Sequence, residues 1–458
     1  MFLHVIAAAL LALALVYPSP AVAASDAELA EIREQIKQMK HDYEARIRAL
    51  EGRLKAAEAT APPAGPVPTA AAPDASPGYS RSMLAAFNPG VSVVLQGNYQ
   101  HLSRDPAQYG FNNVQLGDEV EPGHRGLGLG ESEITFFASV DHLFAGSLTV
   151  ALTPDHSVEL EEAYGVATAV PYGIVPKFGR FFSGVGYQNE QHQHVWDFQD
   201  APLVYQAFLG GRFAQDGVQL KWVAPTETFL EFGAEIGNGE AFPGSERDSN
   251  RVGAWSAFFH TGGDIGANAS WRAGLSYLST RAAERIGRQP DTNGDIVQTS
   301  FAGDARTTIA DFVWKYAPGG NARETHVKVQ GEYFWQRASG DLTYDSDGAF
   351  GLTSTSAYRA SQSGFYVQGV WQFMPAWRVG ARYDRLNPRS PEYGSNAEFL
   401  ATSAFDPRKW TAMLDWTPSE FSRFRIQYAQ NRQRPGFTDN AFFVQYILSL
   451  GAHPAHRF

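Results

Sequence analysis

From Gly90 onward the chain alternates apolar and polar residues with a period of two, segment after segment. In 376–384, Trp377, Val379, Ala381 and Tyr383 fall on one face, and Arg378, Gly380, Arg382 and Asp384 on the other. Segment 423–431 repeats this, with Phe424, Ile426 and Tyr428 against Arg423, Arg425, Gln427 and Asn431. In 326–336, Val327, Val329, Gly331, Tyr333 and Trp335 oppose His326, Lys328, Gln330 and Glu332. Such strands suit either a soluble sandwich with stacked apolar faces or a cylinder whose apolar face meets lipid. The connections decide. Sixteen candidate strands run from 90–101 and 131–141 through 265–279, 306–316, 324–337 and 362–374 to 421–432 and 438–451. Short links, such as Asp141 to Ala145, Ala224 to Glu227 and Pro418 to Glu420, alternate with long ones at 102–130, 183–212, 280–305, 338–361 and 387–407. An even strand count with alternating short turns and long loops predicts an all-β transmembrane barrel of 16 antiparallel strands, or 18 if 102–130 conceals a hairpin.

Two features support this sidedness. Trp222, Tyr316, Phe373, Trp377, Trp416 and Phe421 all sit beside short turns, where an interfacial girdle places amphipathic rings. The last strand presents Phe442, Val444, Tyr446, Leu448 and Leu450 on one face, and it must pair with 90–101 because an open edge is untenable in hydrocarbon. Phe443 and Ile447 blur its inward row.

The first 89 residues read differently. "VIAAALLALALV", 5–16, followed by "SPAVAAS", has the apolar core and small-residue cleavage pattern of a signal peptide spanning 1–24. In 25–59 apolar residues recur in steps of three and four on a charged helix, which predicts an oligomeric, trimeric coiled coil in the periplasm. Residues 60–89, rich in Pro and Ala, read as an extended linker. The barrel is then assigned to 90–458. A net charge of −11 argues against a nucleic-acid partner. The absence of cysteine fits passage through an oxidising compartment without disulfides.

"VELEEAYGVATAVPYGIVPKFGRFFSGVGY", 158–187, with an acidic residue before "AY" and a "GRF" opening a long loop, resembles the phosphate-selective porin O and P group. The N-terminal coil is similar to that of trimeric porins which carry one, and the closing strand with terminal Phe458 looks like the signature by which such barrels are recognised for assembly. The resemblance implies a homotrimeric diffusion channel in the outer membrane of a Gram-negative bacterium, with the 183–212 loop folded into the lumen. It further implies contact with the barrel-assembly machinery through Phe458; the other expected contacts are with outer-membrane lipid and, through the N-terminal region, with peptidoglycan. Phosphate specificity does not carry over, because no basic ladder matches.

Candidate pore-lining residues follow from facing. Inward acids come early, at Glu133, Glu231 and Glu235 with the cluster Glu159, Glu161 and Glu162. Inward bases come late, at Lys328, Arg378, Arg382, Arg423 and Arg425. Across a sixteen-strand cylinder these walls would face each other and set up a transverse field that favours hydrophilic and charged solutes. Lys177 and Arg180 fall on opposite faces of their strand, which calls for a bulge or a different register there. The loop segment "NEQHQHVWDFQD", 189–200, offers His192, His194 and Asp197 as zinc ligands, so a zinc-uptake channel is the second reading and an envelope tether with a barrel anchor the third. "DTNGD" at 291–295 and "DSDG" at 345–348 read as turns rather than calcium loops. No inward Ser lies near an inward His, which argues against hydrolase chemistry; the expectation is a non-enzyme.

Overall fold

The computed structural model describes residues 90–451, apart from 155, 156, 247 and 401. The proposed signal peptide, coiled coil and linker, together with Phe458, lie outside the described residues. Eighteen strands form one sheet: β1 (Gly90–Leu102), β2 (Leu116–Gly117), β3 (Gly126–Leu129), β4 (Ser132–Ser139), β5 (Phe144–Leu152), β6 (Val158–Ala167), β7 (Ile174–Phe182), β8 (Ala214–Val223) and β9 (Phe229–Gly237). The series continues with β10 (Ala254–Ile265), β11 (Ala269–Pro290), β12 (Ile296–Tyr316), β13 (His326–Tyr344), β14 (Ser354–Met374), β15 (Trp377–Asn387), β16 (Arg408–Ser419), β17 (Ser422–Arg434) and β18 (Phe437–Gly451). Sixteen of them, all but β2 and β3, pair antiparallel around a closed ring. The ring shuts where β1 meets β18, from Ser92 opposite Gly451 to Leu102 opposite Ala441. Closure leaves no unpaired edge, the condition for a sheet to stand in hydrocarbon. Among the described residues no helix is long and apolar enough to cross a membrane.

The two faces segregate as the alternation predicts. Phe442, Val444, Tyr446, Leu448 and Leu450 are exposed on the outer face, whereas Phe443 and Ile447 are buried inside, where Phe443 packs with Leu102, Ala429 and Ala441. Beside the short turns the girdle is continuous in places: Trp377 stacks on Trp416 at 6.1 Å and Trp416 on Phe424 at 5.5 Å.

Three expectations change. The 280–305 and 338–361 links are not loops but extensions of β11, β12, β13 and β14, which run 22, 21, 19 and 21 residues against 8 to 10 for β4 through β9. Pure alternation fails there because a hairpin rising above the membrane is wet on its outer face too. The 102–130 link contributes only β2, paired to β11, and β3, paired to β1; neither joins the ring. Finally, β7 carries no bulge: Lys177 points inward and Arg180 outward in regular alternation, and Arg180 pairs with Asp216 and Glu240 at the loop end. The bulge is next door, in β6.

Candidate functional site in the barrel lumen

That bulge builds one wall of the site. Thr149 of β5 faces Glu162 while Val150 faces Leu160, so Glu161 is surplus to the ladder. One extra residue breaks the period of two. Glu161 and Glu162, consecutive in sequence, therefore both turn into the lumen, beside Glu133 on β4.

The segment 183–212 folds into the barrel and meets this wall with its basic groups. His192 places Nδ1 3.0 Å from Glu133 and 3.2 Å from Glu161, and Nε2 3.0 Å from Glu162. His194 sets Nδ1 3.0 Å from Glu133. Arg212 pairs with Glu161 and, at 3.3 Å, with Glu131, and its guanidinium lies over the Phe182 ring. Burial by itself would lower the His192 pKa, but carboxylates on both ring nitrogens raise it well above the ordinary value.

Farther along, the same segment meets the opposite wall with its acids. Asp197 accepts from Lys328 at 2.9 Å and Arg378 at 3.4 Å. Asp200 pairs with Arg382 at 3.0 Å and with Lys409. Burial pushes both carboxyls up, yet Lys328 and Arg378 hold Asp197, and Lys409 and Arg382 hold Asp200, below the usual carboxylate range. Backbone carbonyls complete the seam: Arg423 donates to His194 O and Arg425 to Trp196 O. Behind them Asp415 takes two bonds from Arg425, at 2.7 and 3.0 Å, and one from Arg378 at 2.5 Å.

The start of the segment is fixed to acids as well. Glu235 on β9 accepts from Ser183 Oγ, Gly184 N at 2.8 Å and Ser256 Oγ at 2.7 Å. Glu332 on β13 accepts the backbone N–H groups of Tyr187 and Gln188 and the hydroxyls of Tyr205 and Tyr366. Beyond Asp200 the chain forms helix α1 (Leu203–Leu209), ended by Gly210 in the left-handed conformation, φ 64°. Every residue of α1 is buried. Leu203, Tyr205 and Phe208 pack on Phe334, Tyr366 and Leu386 of the barrel and on Phe111, Val114 and Leu116 from the 102–130 link. This is an apolar plug nearer the long loops. On the turn side, a cavity of about 1290 Å³ is lined by Glu133, His192, His194, Asp197, Lys328 and Arg378, and it reaches the short turns at Ala267 and Gly320.

All eight charged residues expected to line the interior face it: Glu133, Glu231, Glu235, Lys328, Arg378, Arg382, Arg423 and Arg425. The inserted segment stands between the two walls and delivers His192, His194 and Arg212 to the acids and Asp197 and Asp200 to the bases. Glu231 stands apart and pairs with His260 at 2.9 Å and Lys221 at 3.7 Å. The zinc triad is corrected too. Asp197 is committed to Lys328 and Arg378, and the group whose ligand atoms converge within 4.8 Å is Glu133, His192 and His194. Those three could hold a divalent ion only by displacing the carboxylate contacts that His192 already makes.

Glu332 and Asp415, which carry much of the geometry, were not among the expected site residues. Alternation places both inward, but the period of two does not name their partners, which lie 10 and 37 positions away for Asp415 and 34 to 145 positions away for Glu332. The 102–130 link gave a signal in its apolar residues Tyr109, Phe111, Val114 and Leu116, which a solvated loop would lack.

A protein of Aquifex aeolicus (strain VF5) described as "Uncharacterized protein" is 32% identical over 399 residues, which cover 81% of this chain and 80% of the relative. The chain belongs to that protein's family. No protein-family model matches the chain. Solved structures similar in fold include the trimer form of OmpT, an outer membrane protein of Vibrio cholerae (TM-score 0.48, 12% identity, 80% of this chain and 99% of that one). They also include the outer membrane channel DcaP of Acinetobacter baumannii (TM-score 0.47, 12% identity, 80% and 97%) and an anion-selective porin from Comamonas acidovorans (TM-score 0.47, 9% identity, 80% and 100%).

Proposed function

We propose that the protein is an outer-membrane porin, a homotrimer whose barrels let small hydrophilic and charged solutes diffuse past the inserted segment. The observation that carries this reading is the closed sixteen-strand ring, apolar outside, with the 183–212 segment clamped between an acidic and a basic wall. A tether would need a membrane anchor but no cavity of about 1290 Å³ lined by opposed charges. The finer likeness to the phosphate-selective group rests on "EEAY" and "GRF". In the latter, Gly179 holds φ +119°, where a Cβ would strike the Ala163 carbonyl.

Reconstitution in planar bilayers tests the proposal. Insertions should raise the current in groups of three equal steps, and membranes that stay silent at high protein concentration would remove the channel. Arg378→Glu and Arg423→Glu should shift the reversal potential in a salt gradient toward cations. An unchanged potential would take the ion path away from these two arginines.

A further inference from the structure

The outer face carries a feature that the lumen does not explain. Across β12 and β13, Arg306 lies directly opposite Arg337, and both point away from the lumen. Across β15, β16 and β17, Arg385 faces Arg408 and Arg408 faces Arg432. Like charges directly opposed on one face of a sheet repel, so such pairs are avoided unless something between them is negative. Arg385 has Asp406 at 2.6 Å. Among the described residues, Arg306, Arg337, Arg408 and Arg432 have no carboxylate partner.

These residues share one level. Arg337 follows Trp335 outward along its strand and lies over that ring at 4.6 Å, and Arg408 stands two residues beyond lipid-facing Trp410. In β12, Arg306 is ten residues from Tyr316 at the turn end. At roughly 3.3 Å per residue and a tilt near 40°, that is about 25 Å, the height of the apolar band of a transmembrane barrel. The arginines thus sit where hydrocarbon gives way to headgroups on the loop side.

On β12 to β14 the patch deepens into a groove of about 650 Å³, lined by Arg306, Arg337, Arg359 and Arg389 with Tyr277 and Trp335 at its apolar foot. The fourth arginine is held in place by the backbone. Arg389 adopts φ 52°, its carbonyl accepts from Asn113, and the Arg359–Glu392 bridge fastens its loop to β14. Of the two acids lining the groove, Asp304 is paired with Arg281 at 3.0 Å; the other is Glu392.

We propose that this rim binds the phosphate groups of a phosphorylated glycolipid in the outer leaflet, with the groove between β12 and β14 as its principal site. Guanidinium forks match phosphate oxygens in geometry and charge. The aromatic foot meets the first methylenes of the acyl chains, which a free anion would not use. The inference rests on the membrane-spanning reading of the barrel but not on its being a channel.

The test uses the full protein in detergent micelles, with diphosphoryl lipid A, its dephosphorylated form and inorganic phosphate as probes. Wild-type protein should retain diphosphoryl lipid A in native mass spectrometry and resist heat unfolding by several more degrees in its presence. The R306Q/R337Q variant should bind it about tenfold more weakly, a loss of about 1.4 kcal/mol. Without lipid the variant should be at least as stable as wild type, since a repulsion has gone. Equal retention by wild type and variant overturns the proposal, as does a full effect from inorganic phosphate or from the dephosphorylated lipid. A lipid-free variant that is less stable than wild type makes the arginines structural and also overturns it. Lipid retention by a wild-type protein that is silent in bilayers would sink the channel and leave the rim standing; conduction without phosphate-dependent retention would do the reverse.

Discussion

The plug nearer the long loops and the vestibule nearer the short turns are made by one inserted segment, yet they hold by different physics. In the plug, Phe208, Tyr205 and Leu203 bury apolar surface against Phe334, Tyr366 and Leu386, an attraction without direction or sign. In the vestibule the same chain is held by charge, and each contact specifies a partner. Dispersion and burial fill space, whereas paired charges fix where the chain lies while keeping its surroundings polar. A lumen can therefore be narrowed by apolar packing in one half and hydrated in the other by residues a few positions apart.

Substitutions can set the halves against each other. The largest effect is expected at Arg425→Leu, which strands the fully buried Asp415 without its two-bond partner and should cost about 3–5 kcal/mol in urea unfolding of the micellar barrel. Phe208→Ala removes a ring from the plug and should cost about 3 kcal/mol. It should also raise single-channel conductance without altering ion preference, because no charge changes; an altered preference would mean that the plug is not separate from the vestibule. Asp197→Asn should leave stability nearer wild type but release Lys328 and Arg378 toward the cavity, seen as a reversal potential moved toward anions.

pH should undo the two ends of the vestibule in opposite directions. His192 has a raised pKa in the fold, so its contribution is complete below the ordinary 6.5 and disappears as pH rises through the elevated value. Asp197 and Asp200 are depressed, so theirs is complete above the ordinary 3.8 and disappears as pH falls below it. Channel noise that grows at both extremes, and at the alkaline end is abolished by His192→Gln, is the expected record. The smallest effect is at Arg180→Ala, outside the lumen, where a partly exposed pair with Asp216 and Glu240 should be worth no more than about 1 kcal/mol.

The ring was legible because lipid on one side and water on the other impose a binary code, and Trp377 to Asp384 spell it plainly. Where both sides are wet, as in the upper parts of β11 to β14, the code vanishes and the strands read as loops. Facing was legible for Arg378 or Glu133, but partnership was not. Nothing near Asp197 announces Lys328, 131 positions away. The run "LVYQAFL" was visible as apolar but lay inside a connection, and only tertiary burial shows that it belongs to a helix.

The surplus residue in β6 has a corollary for how such a barrel can change. Glu159 lies opposite Ala151 and Leu160 opposite Val150, so the residues on either side of Glu161 already keep step with their neighbours. Excising Glu161 would subtract one negative charge from the lumen and return the strand to strict alternation, without turning any other side chain over. A single codon gained or lost there adjusts the electrostatics of the passage in unit increments, while the hydrogen-bonded hoop stays in frame.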